Sequence, residues 1–181
     1  MPRKKKNRKW QSASTSKNGT RPARRGLSTL KKRSAAGGST GLKVRRSGVH
    51  GRGVFAMKAI RKGARIIEYT GRRVPWKSIP PESDEQCTYY FGLDNGKEVI
   101  DPAVGGNEAR WINHSCDPNC EAIENERERV FIHALRSLHP GEELFYDYQL
   151  VIDAPRTKEV EEEAKCFCGS AHCRGTMLEK E

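Results

Sequence analysis

The chain has 181 residues, of which 35% are hydrophobic, and its formal net charge is +11 at pH 7. This length supports one compact domain with a core, while the low apolar content predicts that part of the chain is disordered. No apolar run reaches the roughly 18 residues of a membrane span, and the N-terminus MPRKKKNRKW lacks the apolar stretch of a secretory signal. We therefore expect no membrane partner and a reducing compartment.

The positive charge is concentrated at the N-terminus. Residues 1–46 contain 16 Lys and Arg residues and no acidic residue, whereas residues 47–181 contain the other 18 basic and all 23 acidic residues, a net charge of −5. The Lys, Arg, Ser, Thr and Gly content of residues 1–41 predicts a disordered basic arm. Such an arm favours contact with nucleic acid or another polyanion, and a solubilising tail is the alternative.

The folded body is predicted to begin near Leu42, with short strands interrupted by glycines and turns. Apolar and β-branched runs predict strands at 54–56, 66–70, 89–93, 98–100, 130–135 and 143–148. The Asp94-Asn95-Gly96 sequence predicts a hairpin turn. Residues 76–88 are expected to form a loop or short helix, and residues 153–165 to be helical or mobile. We therefore expect a mainly β domain of several small sheets over residues 42–152, followed by a linker and a cysteine-containing segment over residues 153–181.

The cysteines favour a metal site over disulfides. Cys166, Cys168 and Cys173 lie within eight positions, and a structural zinc site needs four tetrahedral ligands. The fourth ligand must come from elsewhere, and Cys116 and Cys120 in the stretch RWINHSCDPNC are both candidates. The alternative is a set of reduced thiols in a mobile tail. With zinc bound, the C-terminal tail is clamped against the loop that contains this stretch. Cys87 has no assigned role.

Two further motifs are chemically informative but individually weak. The glycines of Gly51-Arg52-Gly53 allow the backbone to approach a ligand closely, although a plain β-turn explains them equally well. In FYDY, Tyr146 and Tyr148 point to the same face of a strand, and core packing is the alternative to a functional role.

Taken in order, the motifs HGRGVFA, EYTG, GNEARWINHSCDPNC, GEELFYDY and CFCGSAHCRG resemble the SET-domain protein lysine methyltransferases. The resemblance covers residues 42–178. A chain of this size is similar to the minimal bacterial members of the family. Trp111 stands where the family usually has Phe, and no cysteine-rich segment precedes residue 42. These departures concern the substrate and partners more than the chemistry.

The resemblance implies a SET fold with a knot-like crossing, a small zinc-binding post-SET segment and S-adenosylmethionine as the methyl donor. It assigns catalytic roles to Tyr148, Tyr69 and Tyr146. It assigns cofactor binding to Gly51, Arg52, Gly53, Tyr89, Arg110, Asn113, His114, Met177 and Leu178. It assigns one structural zinc ion to Cys116, Cys166, Cys168 and Cys173, which selects Cys116 as the fourth ligand.

The implied activity is methylation of a lysine on a basic protein such as a histone or histone-like protein. A phenol at position 146 implies mainly monomethylation. An acidic surface would attract such a substrate, and a solvated hairpin is the alternative; its residues are Glu121, Glu124, Glu126, Glu128, Glu142 and Glu143. The basic arm is a candidate substrate in cis or a nucleic-acid contact. One alternative is an inactive SET-fold binding module with a nucleic-acid-binding arm, and another is a histone-like DNA protein. The expected location is the cytoplasm or nucleoid in a bacterium, and the nucleus or chromatin in a eukaryotic cell.

Overall fold

The structure is a computed structural model that describes residues 10–12, 41–79, 89–152 and 155–179. In chain order these residues form strands β1 (Trp10–Ser12), β2 (Leu42–Arg46), β3 (Arg52–Ala56), β4 (Arg65–Tyr69), β5 (Arg72–Pro75), β6 (Phe91–Gly92), β7 (Glu98–Asp101), β8 (Asn113–His114), β9 (Cys120–Glu124), β10 (Val130–Ala134), β11 (Phe145–Tyr146) and β12 (Leu150–Ile152), followed by helix α1 (Lys158–Glu163). Short 3₁₀ helices cover Trp76–Ser78 and Glu108–Trp111.

The strands are distributed over several small sheets, which confirms the predicted mainly β fold class. A five-stranded sheet has the order β12-β1-β6-β7-β5, and a three-stranded sheet has the order β4-β10-β9. Two-stranded sheets pair β2 with β3 and β11 with β8. Since no sheet is large enough to enclose a core alone, the sheets pack on one another around a shared cluster of buried residues that includes Val54, Phe91 and Ile132.

The predicted hairpin around residues 94–96 is confirmed, and its turn chemistry explains the register. The Asn95 side-chain oxygen accepts hydrogen bonds from the backbone N–H groups of Lys97 and Glu98 at 2.8 and 3.1 Å. This Asx arrangement directs the chain back, so that Phe91 pairs with Ile100 and Gly92 with Val99 in an antiparallel ladder.

Three residues within the predicted basic arm form a strand. Trp10–Ser12 pairs antiparallel with β12 and in parallel with β6, which places this strand inside the five-stranded sheet. Composition could not predict this pairing, because the partner strands lie far away in the chain, at Phe91–Gly92 and Leu150–Ile152. Residues 1–9 and 13–40 of the predicted arm lie outside the described residues, as does Cys87.

The NHSC stretch (residues 113–116) lies beside the FYDY stretch (residues 145–148). Strand β8 pairs in parallel with β11, with Asn113 opposite Phe145 and His114 opposite Tyr146. The strand predicted over 143–148 is shorter than expected and covers only Phe145–Tyr146, and side chains accept from nearby N–H groups: Phe145 N–H donates to Asn119 and Tyr148 N–H donates to His114. This pairing brings together the two segments of the predicted crossing, and the threading itself stays a prediction.

Helix α1 begins the C-terminal segment, as the prediction for residues 153–165 anticipated. The Thr157 hydroxyl caps it by accepting from Val160 N–H at 3.4 Å, and Val160 is fully buried against the core. The helix thereby anchors the cysteine-containing tail to the body. Within the described ranges, no helix combines the length and apolarity that a membrane crossing requires.

Candidate active site

A cavity of about 840 Å³ lies where three segments meet. They are the glycine loop (Gly51-Arg52-Gly53), the NHSC stretch and the C-terminal tail. Its walls are mainly aromatic and apolar, with a few polar groups and backbone at one edge. Its lining residues include Gly51, Arg52, Tyr89, Trp111, Asn113, His114, Tyr148, Phe167 and Met177. The volume falls within the range of about 300–1,000 Å³ that is typical of cofactor sites.

The glycine loop is held in place by Asn113, which is buried in β8. Its Nδ2 donates to the backbone carbonyls of Arg52 and His50 at 2.8 and 3.2 Å. Gly51, at the tip of the loop, has a φ of +45°, a left-handed conformation that favours glycine. The NHSC stretch therefore fixes the position of the loop that forms the polar edge of the cavity.

Glu143 completes this arrangement from beneath the loop. Its carboxylate accepts from Asn113 Nδ2 at 3.0 Å and from the Ser47 hydroxyl at 3.1 Å. A β-carbon built on Gly53 would lie 2.0 Å from Glu143 Oε1. The hydrogen-bonded carboxylate therefore occupies the space that a side chain at position 53 would need.

Three tyrosines, Tyr69, Tyr146 and Tyr148, form a buried group in the core, and Tyr148 also lines the cavity. The ring centroids of Tyr146 and Tyr148 are 4.9 Å apart, so the two rings are in contact although β11 ends at Tyr146. Tyr69 contacts Phe91, which in turn contacts Tyr146. Burial is the main reason that the pKa values of Tyr69 and Tyr148 lie well above the ordinary phenol value, and the neighbouring Tyr146 adds to both shifts. Both side chains are therefore neutral phenols near pH 7.

The hydroxyl groups of Tyr69 and Tyr148 both donate hydrogen bonds to backbone carbonyls. Tyr148 donates to the carbonyl of Ile112 at 2.9 Å, and Tyr69 donates to the carbonyl of Tyr89. Their oxygen lone pairs are therefore oriented away from those carbonyls. A phenol held in this way acts as a fixed hydrogen-bond acceptor.

His114 connects the tyrosine group to the cysteines. Its Nδ1 accepts from Tyr148 N–H at 3.1 Å, so the proton of the neutral ring lies on Nε2, which is 3.3 Å from Cys116 Sγ. Burial lowers the pKa of His114 to about 4, although Asp147 acts in the opposite direction. The ring is therefore neutral near pH 7 and donates toward the sulfur.

The sulfur atoms of Cys116, Cys166, Cys168 and Cys173 all lie within 4.8 Å of one another. A zinc ion with Zn–S bonds of about 2.3 Å places its tetrahedral sulfurs about 3.8 Å apart, so the four thiols fit such an ion. Cys120 pairs with Ala134 of β10 and is fully buried in the core, and burial raises its pKa to about 12. The structure thus brings together the predicted ligand set and selects Cys116 over Cys120.

A partly buried ion pair joins the tail to the FYDY stretch. Arg174 donates to both carboxylate oxygens of Asp147 at 2.8 Å, and its backbone N–H lies 3.3 Å from Cys116 Sγ. A two-pronged Arg–carboxylate pair fixes orientation as well as distance. The tail that carries Met177 is therefore located on the body by the cysteines and by this pair.

Some predicted residues lie beside the cavity without lining it. Arg110 turns away, donating to the carbonyl of Pro102 at 3.2 Å and stacking on Trp111. Leu178 is 2% exposed and packs in the core, with its backbone bridged to Leu150. Gly53 faces Glu143. These three residues do not line the cavity, and their predicted role in cofactor binding stays a prediction.

Sequence reasoning missed several residues that shape the site. Trp111 lies between the guanidinium group of Arg52, 4.9 Å from its ring, and Tyr89, whose ring meets it edge-on. Phe167 is 72% exposed at the mouth of the cavity. The aromatic residue between two cysteines in CFC was the available signal for Phe167. Glu143 was considered only as a surface charge, and Asp147 within GEELFYDY was assigned no role.

The acidic residues proposed to attract a substrate are largely engaged within the chain. Glu128 pairs with Arg73 at 2.8 Å, and Glu142 pairs with Arg136. Glu124 accepts from the backbone N–H of Asp94 at 2.8 Å. These contacts favour the alternative of a solvated, internally paired hairpin over a free acidic surface.

Comparison with known proteins is consistent with this geometry. The model of the SET domain family matches residues 51–149, a range that contains the glycine loop, the NHSC stretch and the three tyrosines. The match ends before the cysteine-containing tail.

Curated relatives align over most of this chain. Histone-lysine N-methyltransferase ASHH2 of Arabidopsis thaliana is 38% identical over 138 residues, which is 71% of this chain and 8% of that protein. Histone-lysine N-methyltransferase 2B of Homo sapiens is 37% identical over 142 residues, 72% of this chain and 5% of that protein. The H3 lysine-4 specific histone-lysine N-methyltransferase of Saccharomyces cerevisiae is 37% identical over 143 residues, 73% of this chain and 13% of that protein. The chain thus matches a small part of each relative.

Proposed function

The chain belongs to the SET-domain family, and from this premise we propose that it is an S-adenosylmethionine-dependent protein-lysine N-methyltransferase that acts on a basic protein such as a histone. The observation that carries the proposal is the position of Tyr148. This residue lines the cofactor-sized cavity and also belongs to the buried tyrosine group. A donor in the cavity and an acceptor amine among the tyrosines would meet at its hydroxyl.

The cavity fits the proposed donor in size and in chemistry. Tyr89, Trp111 and Met177 offer flat or flexible apolar surface of the kind that packs on an adenine ring. The backbone edge at Gly51 and Arg52, held by Asn113, offers polar groups for the amino-acid end. When bound, S-adenosylmethionine supplies a methyl group activated by a cationic sulfonium.

The chain contributes to the chemistry by orienting the acceptor and excluding water. A free lysine has a pKa of about 10.4 and is therefore protonated at neutral pH. The amine must lose this proton before it can accept a methyl group. The buried aromatic surroundings of Tyr69, Tyr146 and Tyr148 favour the neutral amine. Since the hydroxyl protons of Tyr69 and Tyr148 are donated to backbone carbonyls, their oxygens are available to accept from amine N–H groups.

None of these tyrosines serves as a base in this proposal. The raised pKa values of Tyr69 and Tyr148 keep both phenols protonated at neutral pH. The lysine proton is therefore released to water before transfer. Tyr148 and Tyr69 act by holding the amine in line, and orientation of this kind can lower a barrier by up to about 7–11 kcal/mol.

We assign mainly monomethylation to Tyr146. Its ring is 4% exposed and packs 4.9 Å from that of Tyr148, so its phenol oxygen adds bulk and polarity where a methylated amine would have to rotate. Phenylalanine at this position would release that space.

The cysteine cluster is proposed to hold one structural zinc ion through Cys116, Cys166, Cys168 and Cys173. Burial raises the pKa of Cys166, and a bound cation offsets the repulsion of neighbouring thiolates. The His114 Nε2–H directed at Cys116 provides an outer hydrogen bond of the type that orients metal ligands. The ion would keep Met177 at the cavity wall.

The substrate and location follow from the relatives. Because their printed names describe histone-lysine methylation, a histone or histone-like protein is the proposed substrate, and association with chromatin or the nucleus is the proposed location in a eukaryotic cell. In a bacterium the corresponding location is the cytoplasm or nucleoid. Contact of the basic N-terminal arm with nucleic acid stays a prediction.

The test is mass spectrometry of a panel of basic proteins, including the chain itself, after incubation with zinc-loaded enzyme and S-adenosylmethionine. We expect a gain of one methyl group on lysine, reduced at least about 100-fold in Tyr148→Phe, because the lost oxygen positions the amine. Tyr90→Phe is the matched control, since Tyr90 lies in a separate apolar cluster with Ile79 and Val99. Protein that neither methylates the panel nor binds S-adenosylmethionine would refute the proposal in favour of a binding module.

A further inference from the structure

Strand β1 occupies a slot between two strands that lead away from the active site. Strand β6 begins two residues after Tyr89, and β12 begins two residues after Tyr148. In the sheet order these strands are not neighbours, and β1 lies between them. Ser12 is the residue that bridges the slot, since it is opposite both Leu150 and Phe91.

The slot depends on the C-terminal tail as well as on the body. On its other side, Leu150 of β12 exchanges hydrogen bonds with the tail, accepting from Glu179 N–H at 3.1 Å and donating to the Met177 carbonyl at 2.9 Å. Met177 also lines the cavity. An extended segment in the slot therefore pairs with a strand that is itself attached to the cavity wall.

A gap between two strand edges selects an extended peptide, because main-chain hydrogen bonds supply the affinity. Here the occupant comes from the most basic part of the chain, directly after RKKKNRK. The paired residues Trp10, Gln11 and Ser12 contain no amine. While paired, this stretch fills a peptide-binding edge beside the active site and offers no methyl acceptor within it.

We propose that residues 10–12 act in cis as a pseudosubstrate strand that competes with an external basic peptide for the slot between β6 and β12. Inhibition of methyl transfer by this strand rests on the proposed methyltransferase function, whereas occupation of the slot by residues 10–12 does not. Residues 13–40 connect the strand to the body and, when extended, reach on the order of 90 Å, far beyond the roughly 14 Å radius of gyration of such a domain. A tethered strand has an effective concentration on the order of 1 mM, which a free peptide must exceed.

The test removes the strand without touching the site. Gln11→Pro deletes the N–H at the centre of β1, and proline is poorly tolerated inside a sheet. Ser28→Pro is the matched control in the same basic segment. A fluorescent peptide of residues 5–16 is titrated into each full-length, zinc-loaded protein, with no cofactor present. If the slot is about 90% self-occupied, the Kd should fall about tenfold in Gln11→Pro and remain unchanged in Ser28→Pro.

Kinetics then separate this proposal from the proposed function. In Gln11→Pro we expect the KM for a basic peptide to fall by the same factor with kcat unchanged. An equal Kd in Gln11→Pro and the unsubstituted chain overturns the pseudosubstrate, whatever the activity. A tenfold tighter Kd with no methyl transfer from any variant keeps the self-occupied slot and overturns the methyltransferase. A Kd change that accompanies dimers in light scattering overturns occupation in cis.

Discussion

Replacing Gly53 by alanine is expected to disconnect the glycine loop from the NHSC stretch. The new β-carbon would lie 2.0 Å from Glu143 Oε1 and 2.6 Å from Glu143 Cδ. A carbon–oxygen contact needs more than about 3 Å, so the carboxylate must move by at least about 1 Å. Glutamate is flexible, but this carboxylate is held by Asn113 at 3.0 Å and Ser47 at 3.1 Å.

The magnitude follows from the hydrogen bonds that this movement breaks. Bonds to a charged group contribute about 1.5–3 kcal/mol each, and water replaces part of that at a half-buried site. We therefore expect a loss of about 2 kcal/mol, which corresponds to a roughly 30-fold weaker affinity for S-adenosylmethionine if the loop must be ordered to bind it. Isothermal titration calorimetry measures the affinity, and thermal unfolding measures the accompanying loss of stability.

The same loop offers a control for this substitution. A β-carbon on Gly48 meets no atom within 4 Å, and its φ is outside the left-handed region, so Gly48→Ala should be close to neutral. Removing the obstructing carboxylate with Glu143→Ala should make Gly53→Ala less damaging than in the original background. If Gly53→Ala binds the cofactor and unfolds like Gly48→Ala, the steric reasoning is wrong.

Three further substitutions test the site. Cys168→Ser should abolish stoichiometric zinc in atomic absorption and weaken cofactor binding, whereas Cys120→Ala should retain the metal; equal zinc content in both variants would contradict the assigned ligands. Tyr146→Phe should shift the product toward di- and trimethyl-lysine in mass spectrometry, and an unchanged product distribution would count against its role in limiting methylation. Arg174→Lys keeps the charge but loses the double contact with Asp147, so hydrogen exchange of the tail should accelerate about tenfold, reflecting roughly 1.4 kcal/mol; unaltered exchange would show that the cysteines alone hold the tail.

The sequence by itself predicted the mainly β fold class and marked the cysteines of the tail as candidate metal ligands. Local signals carried these predictions: the continuous apolar run at residues 54–56, the turn sequence around Asn95 and the close cysteine spacing from Cys166. Such signals involve residues that are close together in the chain, so they can be recognised without knowledge of the fold. The ordered set of motifs then indicated the family to which the chain belongs.

Only the tertiary structure decided which distant groups meet. Spacing left Cys116 and Cys120 open as the fourth thiol, and the choice depends on β9 directing Cys120 into the core. The Glu143 carboxylate lies against Gly53 although the two residues are ninety positions apart in the chain. The insertion of Trp10–Ser12 between β6 and β12 was hidden by a composition that predicts disorder. In each case the deciding interaction is long-range, and composition and periodicity carry no information about partners so far away in the chain.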